Sequence, residues 1–164
     1  AYDKIYPTIS TKEDIKFYNK CNRLNFIKPE NVIKDKRMIN ENLLQIAANY
    51  VNQMDENYSP VDKIKVFGKA FQILQNSMEF SSGVGAGKLG IDDTLPLLIY
   101  VILKAQPKNI YTNYNYCKLF INPELEKKIY GILLTQLGMV IKIISEMKYK
   151  DLIGVSEEEF GKDV

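Results

Sequence analysis

Gly90-Ile91-Asp92-Asp93-Thr94-Leu95-Pro96-Leu97-Leu98-Ile99-Tyr100-Val101-Ile102-Leu103-Lys104-Ala105-Gln106-Pro107 is the stretch that decides how this chain folds. Its apolar run, residues 95–103, is too short to span a bilayer, which takes roughly 20 residues. It reads as a buried helix, opened by two adjacent carboxylates and closed by Pro107. Acids at a helix start satisfy the free N–H groups of the first turn. One acid is enough for that. The second can point away from the helix, so the pair is either a cap or a negative charge held outward by a rigid, buried element.

Helical spacing extends in both directions. A helix is predicted over 11–24, with Thr11 as N-cap and Glu13 and Asp14 in the first turn, where acids suit the helix dipole. Pro29 breaks the chain, and a polar connection runs to about residue 36. Over 40–54 the apolar residues recur at helical spacing. Ser59-Pro60 is an N-cap followed by proline at the first helical position, and starts a helix predicted to run to about residue 80. A flexible loop over 81–90 follows, then the acidic-pair helix, then a tyrosine-rich helix over 109–121. Asn122-Pro123 opens the longest helix, predicted over 124–147, and Ser156-Glu157-Glu158-Glu159 matches a capping box. No alternating strand pattern stands out. The expectation is an all-α, layered, single domain of about six or seven helices over 1–164: core 40–147, N-terminal helical segment 1–39, short C-terminal helix 156–162.

Composition narrows the chemistry. The chain has 164 residues, 46% hydrophobic and 26% charged, as in a soluble globular domain. Net charge is +2, and the only arginines are Arg23 and Arg37, which disfavours nucleic acid as partner. There is no histidine, so histidine-based triads and His-containing zinc sites are excluded. Cys21 and Cys117 stand far apart, which fits a reducing, cytoplasmic setting, and Cys117 sits in an apolar pattern as a small core residue. No cofactor or metal is expected. No signal peptide is visible, direct membrane insertion is not expected, and a start at Ala1 fits a piece of a larger protein.

Two other features invite a functional reading. Gly85-Ala86-Gly87-Lys88-Leu89-Gly90 is formally G-x-G-x-x-G, but it follows a helix instead of a strand and has Leu89 where a phosphate-binding loop needs Ser or Thr; the plain reading is a flexible loop. On the longest helix a narrow stripe of Gly131, Thr135, Gly138 and Lys142 crosses an otherwise apolar surface, bordered by Ile132. Glycine inside a helix costs about 1 kcal/mol relative to alanine, so two of them suggest a close approach, by a neighbouring helix or by a partner seated in a groove.

With these residues assembled, the chain resembles the Vps-nine domain (vacuolar protein sorting, member nine), the exchange module for Rab GTPases of the Rab-five class. The resemblance is densest from Asp92-Asp93-x-Leu95-Pro96 through Leu98-Ile99-Tyr100-Val101, Leu103-Lys104-Ala105, Pro107, Asn113, Tyr116, Phe120 and Asn122-Pro123. Pro60-x-x-Lys63, Leu24-x-Phe26-Ile27-x-Pro29-Glu30 and residues 152–160 extend it over almost the whole chain.

The resemblance implies an all-helical fold and an acidic finger. In the family the first Asp of the pair, here Asp92, enters the GTPase's nucleotide site, where a carboxylate competes with phosphate for a lysine and disfavours magnesium. Asp93, Pro96 and Thr135 correspond to positions that pack on the GTPase. The family's Gly-Tyr-Tyr-x-Thr places a contact tyrosine where this chain has Ile132, while Tyr130 lies about 140° away from Thr135 around the helix. The implied partner is a Rab-five-type GTPase and the implied location peripheral to early endosomes. The alternative is a GTPase-binding or scaffolding module of the same fold with weak or no exchange.

Overall fold

Helix α4 (Ile91–Ala105) is the centre of the architecture. Leu97, Leu98, Val101 and Ile102 are at most 1% exposed, and burying each such side chain stabilises by roughly 1.5–3 kcal/mol. The structure is a computed structural model that describes residues 2–82 and 91–161, with side chains over 11–80 and 93–161. Among the described residues there are α-helices and short 3-10 turns and no strand. In chain order the other helices are α1 (Tyr2–Arg23), α2 (Glu41–Asn52), α3 (Pro60–Ser82), α5 (Ile110–Phe120), α6 (Pro123–Glu126), α7 (Ile129–Ser145) and α8 (Glu157–Phe160). Helix α4 packs against α1, α2, α3 and α7; α1 lies along α5, and α2 along α3.

The caps explain the boundaries. Asn40 Oδ1 accepts from Leu43 N at 3.2 Å to start α2. Ser59 Oγ accepts from Asp62 N at 3.0 Å, the N-cap expected from Ser59-Pro60. Asn122 Oδ1 accepts from Glu124 N at 2.8 Å. The capping box of α8 is complete: Ser156 Oγ accepts from Glu159 N, and Glu159 Oε2 accepts from Ser156 N. At its far end α4 stops because Gln106 turns into the left-handed region (φ 47°) ahead of Pro107, and Asn52 Nδ2 donates to the exposed Ala105 carbonyl at 3.0 Å.

Two expectations change. Helix α1 does not begin at Thr11 but nine residues earlier, so Thr11 is an interior position and no cap. The longest predicted helix is two: α6 ends after one turn, Lys127 and Lys128 form a corner, and α7 restarts at Ile129. The reason is visible at Gly131, where a Cβ would stand 1.9 Å from the Glu126 carbonyl oxygen. The corner folds that carbonyl into space only glycine leaves. The corner adds α6 to the expected segments, so the described helices number eight, in keeping with the all-α domain of about six or seven helices. The Gly85–Gly90 motif lies outside the described residues.

Candidate functional site

Asp92 and Asp93 fall inside the first turn of α4, where the sequence placed them at its mouth. The Asp92 side chain lies outside the described residues; Asp93 is exposed and Thr94 between Asp93 and the core is buried, at 1%. Pro96, half-buried, carries no N–H for the carbonyl of Asp92 four residues back, so the acid-bearing turn lacks one of its helical hydrogen bonds. Beyond Pro96 the helix is buried almost continuously. The acid pair therefore rides on a loosened first turn attached to a rigid rod.

Ile132 and Thr135 come together. Both are exposed, Ile132 at 42%, and both line an open groove of ≈ 510 Å³ with Gly131, Lys127 and Lys128. Thr135 Oγ1 donates back to the Gly131 carbonyl at 2.9 Å, a common way for a helical threonine to satisfy itself. Tyr130 is half-buried and packs on the core, on a different face, as the 100° spacing required. None of the described α4 residues lines this groove, so Asp93 and Pro96 stand apart from it.

The glycine stripe is explained within the chain. Gly131 accommodates the Glu126 carbonyl, and a Cβ on Gly138 would meet the Tyr114 hydroxyl at 2.7 Å. Gly138 and Lys142 line a separate cavity with Tyr114 and Glu146. The stripe is thus two surfaces, and the glycines mark internal close approaches instead of a partner's.

Several features escaped sequence reasoning. Asn109 gives α5 no side-chain cap; Asp14 supplies it from α1. Its Oδ1 accepts from Tyr111 N at 2.8 Å and Thr112 N at 3.1 Å, and the Thr112 hydroxyl donates to Oδ2. Burial nevertheless holds the Asp14 carboxyl above the ordinary range, against those hydrogen bonds. Lys63 is wholly buried, its Nζ donating to Met54 O and Asn113 Oδ1 at 2.8 Å each, while Asn113 Nδ2 donates to Asp55 at 2.8 Å. Burial pulls its ammonium down to about 8. Gln136 also lines the groove; it is 4% exposed, and its Oε1 accepts no hydrogen bond among the described residues. The Pro60-x-x-Lys63 and Asn113 matches were the one sequence signal for this network. Cys117 is a core residue, as expected: its Sγ donates to Pro60 O at 3.6 Å and burial pushes the thiol up to about 12.

By fold and surface the molecule is an all-α domain with an open groove on α7 and, separately, an acid pair in the first turn of a buried helix. The Vacuolar sorting protein 9 (VPS9) domain family matches residues 44–149, and the chain belongs to that family. It is similar to the human Rab5 GDP/GTP exchange factor, 25% identical over 162 residues, covering 94% of this chain and 32% of the relative. It is likewise similar to vacuolar protein sorting-associated protein vps901 of Schizosaccharomyces pombe, 25% identical, covering 93% of this chain and 26% of the relative. Vacuolar protein sorting-associated protein 9A of Arabidopsis thaliana is 27% identical over 143 residues, covering 85% of this chain and 27% of the relative. The chain thus spans about a third or less of the length of these relatives. Among the described residues no helix is long and apolar enough to cross a membrane.

Proposed function

We propose that this domain promotes GDP release from a Rab-five-type small GTPase at early endosomes, with Asp92 as the acidic finger. The observation that carries the reading is the position of Asp92: in the first turn of a helix whose following turns are buried, in a family whose relatives include a Rab5 GDP/GTP exchange factor. A GTPase holds its nucleotide through a phosphate-binding lysine and a magnesium ion. A carboxylate brought to that place pairs with the lysine and repels the phosphates, so nucleotide and exchange factor weaken each other's hold reciprocally. No covalent bond changes, so the chain needs no histidine and no nucleophile. Asp93 and Pro96 flank the finger, and Ile132 and Thr135 offer a second contact with the GTPase through the α7 groove.

The exposed Ile132 favours a second reading, in which the domain binds a GTPase but exchanges weakly. An isoleucine contributes contact area without the polar tip that a tyrosine carries. One experiment separates the two: release of a fluorescent GDP analogue from a panel of purified Rab proteins, with the wild-type domain and Asp92→Ala. The expected result is acceleration by the wild type on a Rab-five-type member, lost by at least about tenfold in Asp92→Ala, or 1.4 kcal/mol of barrier. Acceleration unchanged by Asp92→Ala would reduce the residue to a cap. Binding without acceleration would establish the second reading.

A further inference from the structure

A cavity of ≈ 310 Å³, lined by none of the residues proposed to contact the GTPase, lies between α1, the start of α5 and the C-terminal end of α7. Lys16, Lys20 and Arg23 line it from α1. Their spacing of four and three residues sets them on one helix face. Across from them stand the hydroxyls of Tyr111 and Ser145; Ser145 Oγ donates to Ile141 O at 2.7 Å, which leaves the Tyr111 hydroxyl to donate to Ser145 Oγ at 2.9 Å. Phe17 also lines the cavity, its ring meeting Tyr111 edge-on at 5.9 Å. Glu13 is the single carboxylate in the lining, so cations exceed anions by two.

The charge is concentrated and held in place. Lys20 Nζ donates to Met147 O at 2.9 Å and lies 5.7 Å from the Phe160 ring centroid, so its ammonium is fixed at the cavity edge with further protons to give. Burial lowers its pKa, and repulsion from Lys148 and Arg23 lowers it further, with Asp151 opposing only in part. Crowded, partly desolvated cations suit a multiply charged oxyanion, because charge-assisted hydrogen bonds gain most where water is partly excluded, and the Tyr111 hydroxyl can turn from Ser145 to join them.

We infer that this cavity binds a phosphate monoester carried on a small polyol, the chemistry shared by a soluble inositol phosphate and a phosphoinositide headgroup. The test uses the whole 164-residue chain, isotopically labelled. It is titrated with inositol trisphosphate, with inorganic phosphate, and with phosphatidylcholine vesicles carrying either phosphatidylinositol bisphosphate or phosphatidylserine at matched charge. Inositol trisphosphate is expected to shift the resonances of Lys16, Lys20, Tyr111 and Ser145. Lys16→Gln and Arg23→Gln, made singly at exposed positions, should each weaken binding by roughly tenfold or more, as expected for removing hydrogen bonds to a charged group. Lys36→Gln, which removes the same charge outside the cavity, should leave affinity unchanged, and none of these variants should alter exchange on a GTPase in solution. Binding to bisphosphate vesicles but not to serine vesicles assigns the site to a lipid headgroup; soluble binding without vesicle binding assigns it to a free phosphate ester. Absence of shifts at these four residues, equal weakening by Lys36→Gln, inorganic phosphate binding as tightly as inositol trisphosphate, or indiscriminate vesicle binding without soluble binding would overturn the inference.

Discussion

Replacing Lys63 by methionine should change how the stability of this domain depends on pH between 7.5 and 9. The lysine is wholly buried, and burial pulls its pKa to about 8 against 10.5 for the free side chain. A lysine whose folded pKa is depressed penalises the native state below that pKa, where both states are charged. As pH rises through about 8 the native lysine loses its proton while the unfolded one keeps it, so the unfolded state binds more protons and stability climbs with pH. With these two pKa values the linkage relation gives a gain of about 1 kcal/mol between pH 7.5 and 9. Cys21 and Cys117 act in the opposite sense, both pushed up to about 12 by burial, and their effect overlaps this window because unfolded thiols ionise at about 8.5. Both proteins carry both cysteines, so that effect cancels in the comparison and the difference between the two curves is the lysine's. Urea denaturation of the wild type and Lys63→Met at half-unit steps should show the difference between them shifting by about 1 kcal/mol across the window. The variant should also lose roughly 2–4 kcal/mol at neutral pH, because Asn113 Oδ1 loses the Lys63 ammonium and Met54 O keeps only the long bond from Asn57 N. Parallel curves for the two proteins would refute the reasoning and mean that Lys63 does not change charge state there.

The two glycines of α7 should respond differently. Gly131→Ala drives a Cβ into a backbone carbonyl and should destabilise by roughly 2–4 kcal/mol in thermal or urea melts. Gly138→Ala meets only the tip of Tyr114, and the helix-propensity gain of about 1 kcal/mol should leave it near neutral; equal losses would place the α6–α7 corner elsewhere. Asp14→Ala should cost roughly 2–3 kcal/mol by uncapping α5 from a distance, and hydrogen exchange should show the amides of Tyr111 and Thr112 losing protection first. Ile132→Tyr, at an exposed groove position, should leave the fold intact and raise exchange or binding several-fold towards a Rab-five-type GTPase, about 1 kcal/mol of added contact, whereas Tyr130→Phe should change neither; loss of activity in Tyr130→Phe would show that Tyr130 makes the contact instead.

Much of the fold was legible because local rules and packing agree. Ser59-Pro60, Asn122-Pro123 and Ser156-x-x-Glu159 all start helices, since their side chains satisfy N–H groups within three residues along the chain. What the sequence concealed is non-local. The cap of α5 comes from Asp14, about a hundred residues away, and no window of neighbouring residues contains it. The split between α6 and α7 depends on where the Glu126 carbonyl lands after the corner, which periodicity cannot express; it only leaves a glycine as a trace. The same holds for the stripe on α7, where two glycines with one spacing serve two different neighbours. At the candidate site, adjacency in the Asp92–Pro96 segment was readable, as was the shared face of Ile132 and Thr135. The buried Gln136 beside them was not, because its apolar neighbours make it look like a surface interruption.

Pro96 links the buried helix to the chemistry proposed for its start. A proline at the sixth position of a helix costs stability unless something else holds the segment, and here the apolar residues that follow hold it. The cost falls on the first turn, where the missing N–H leaves the Asp92 carbonyl without its helical donor. A first turn with one helical hydrogen bond missing can adjust by small backbone rotations while the rest of α4 stays fixed. An acidic finger needs that combination: enough freedom to fit a carboxylate between a lysine and a phosphate, and enough rigidity behind it that the displaced charge does not simply push the helix away. Replacing Pro96 with alanine restores the hydrogen bond and should stabilise the helix start. If the loosened turn serves exchange, Pro96→Ala should slow GDP release even though the protein melts at the same temperature or higher; faster release together with higher stability would mean that the proline acts only as surface against the GTPase.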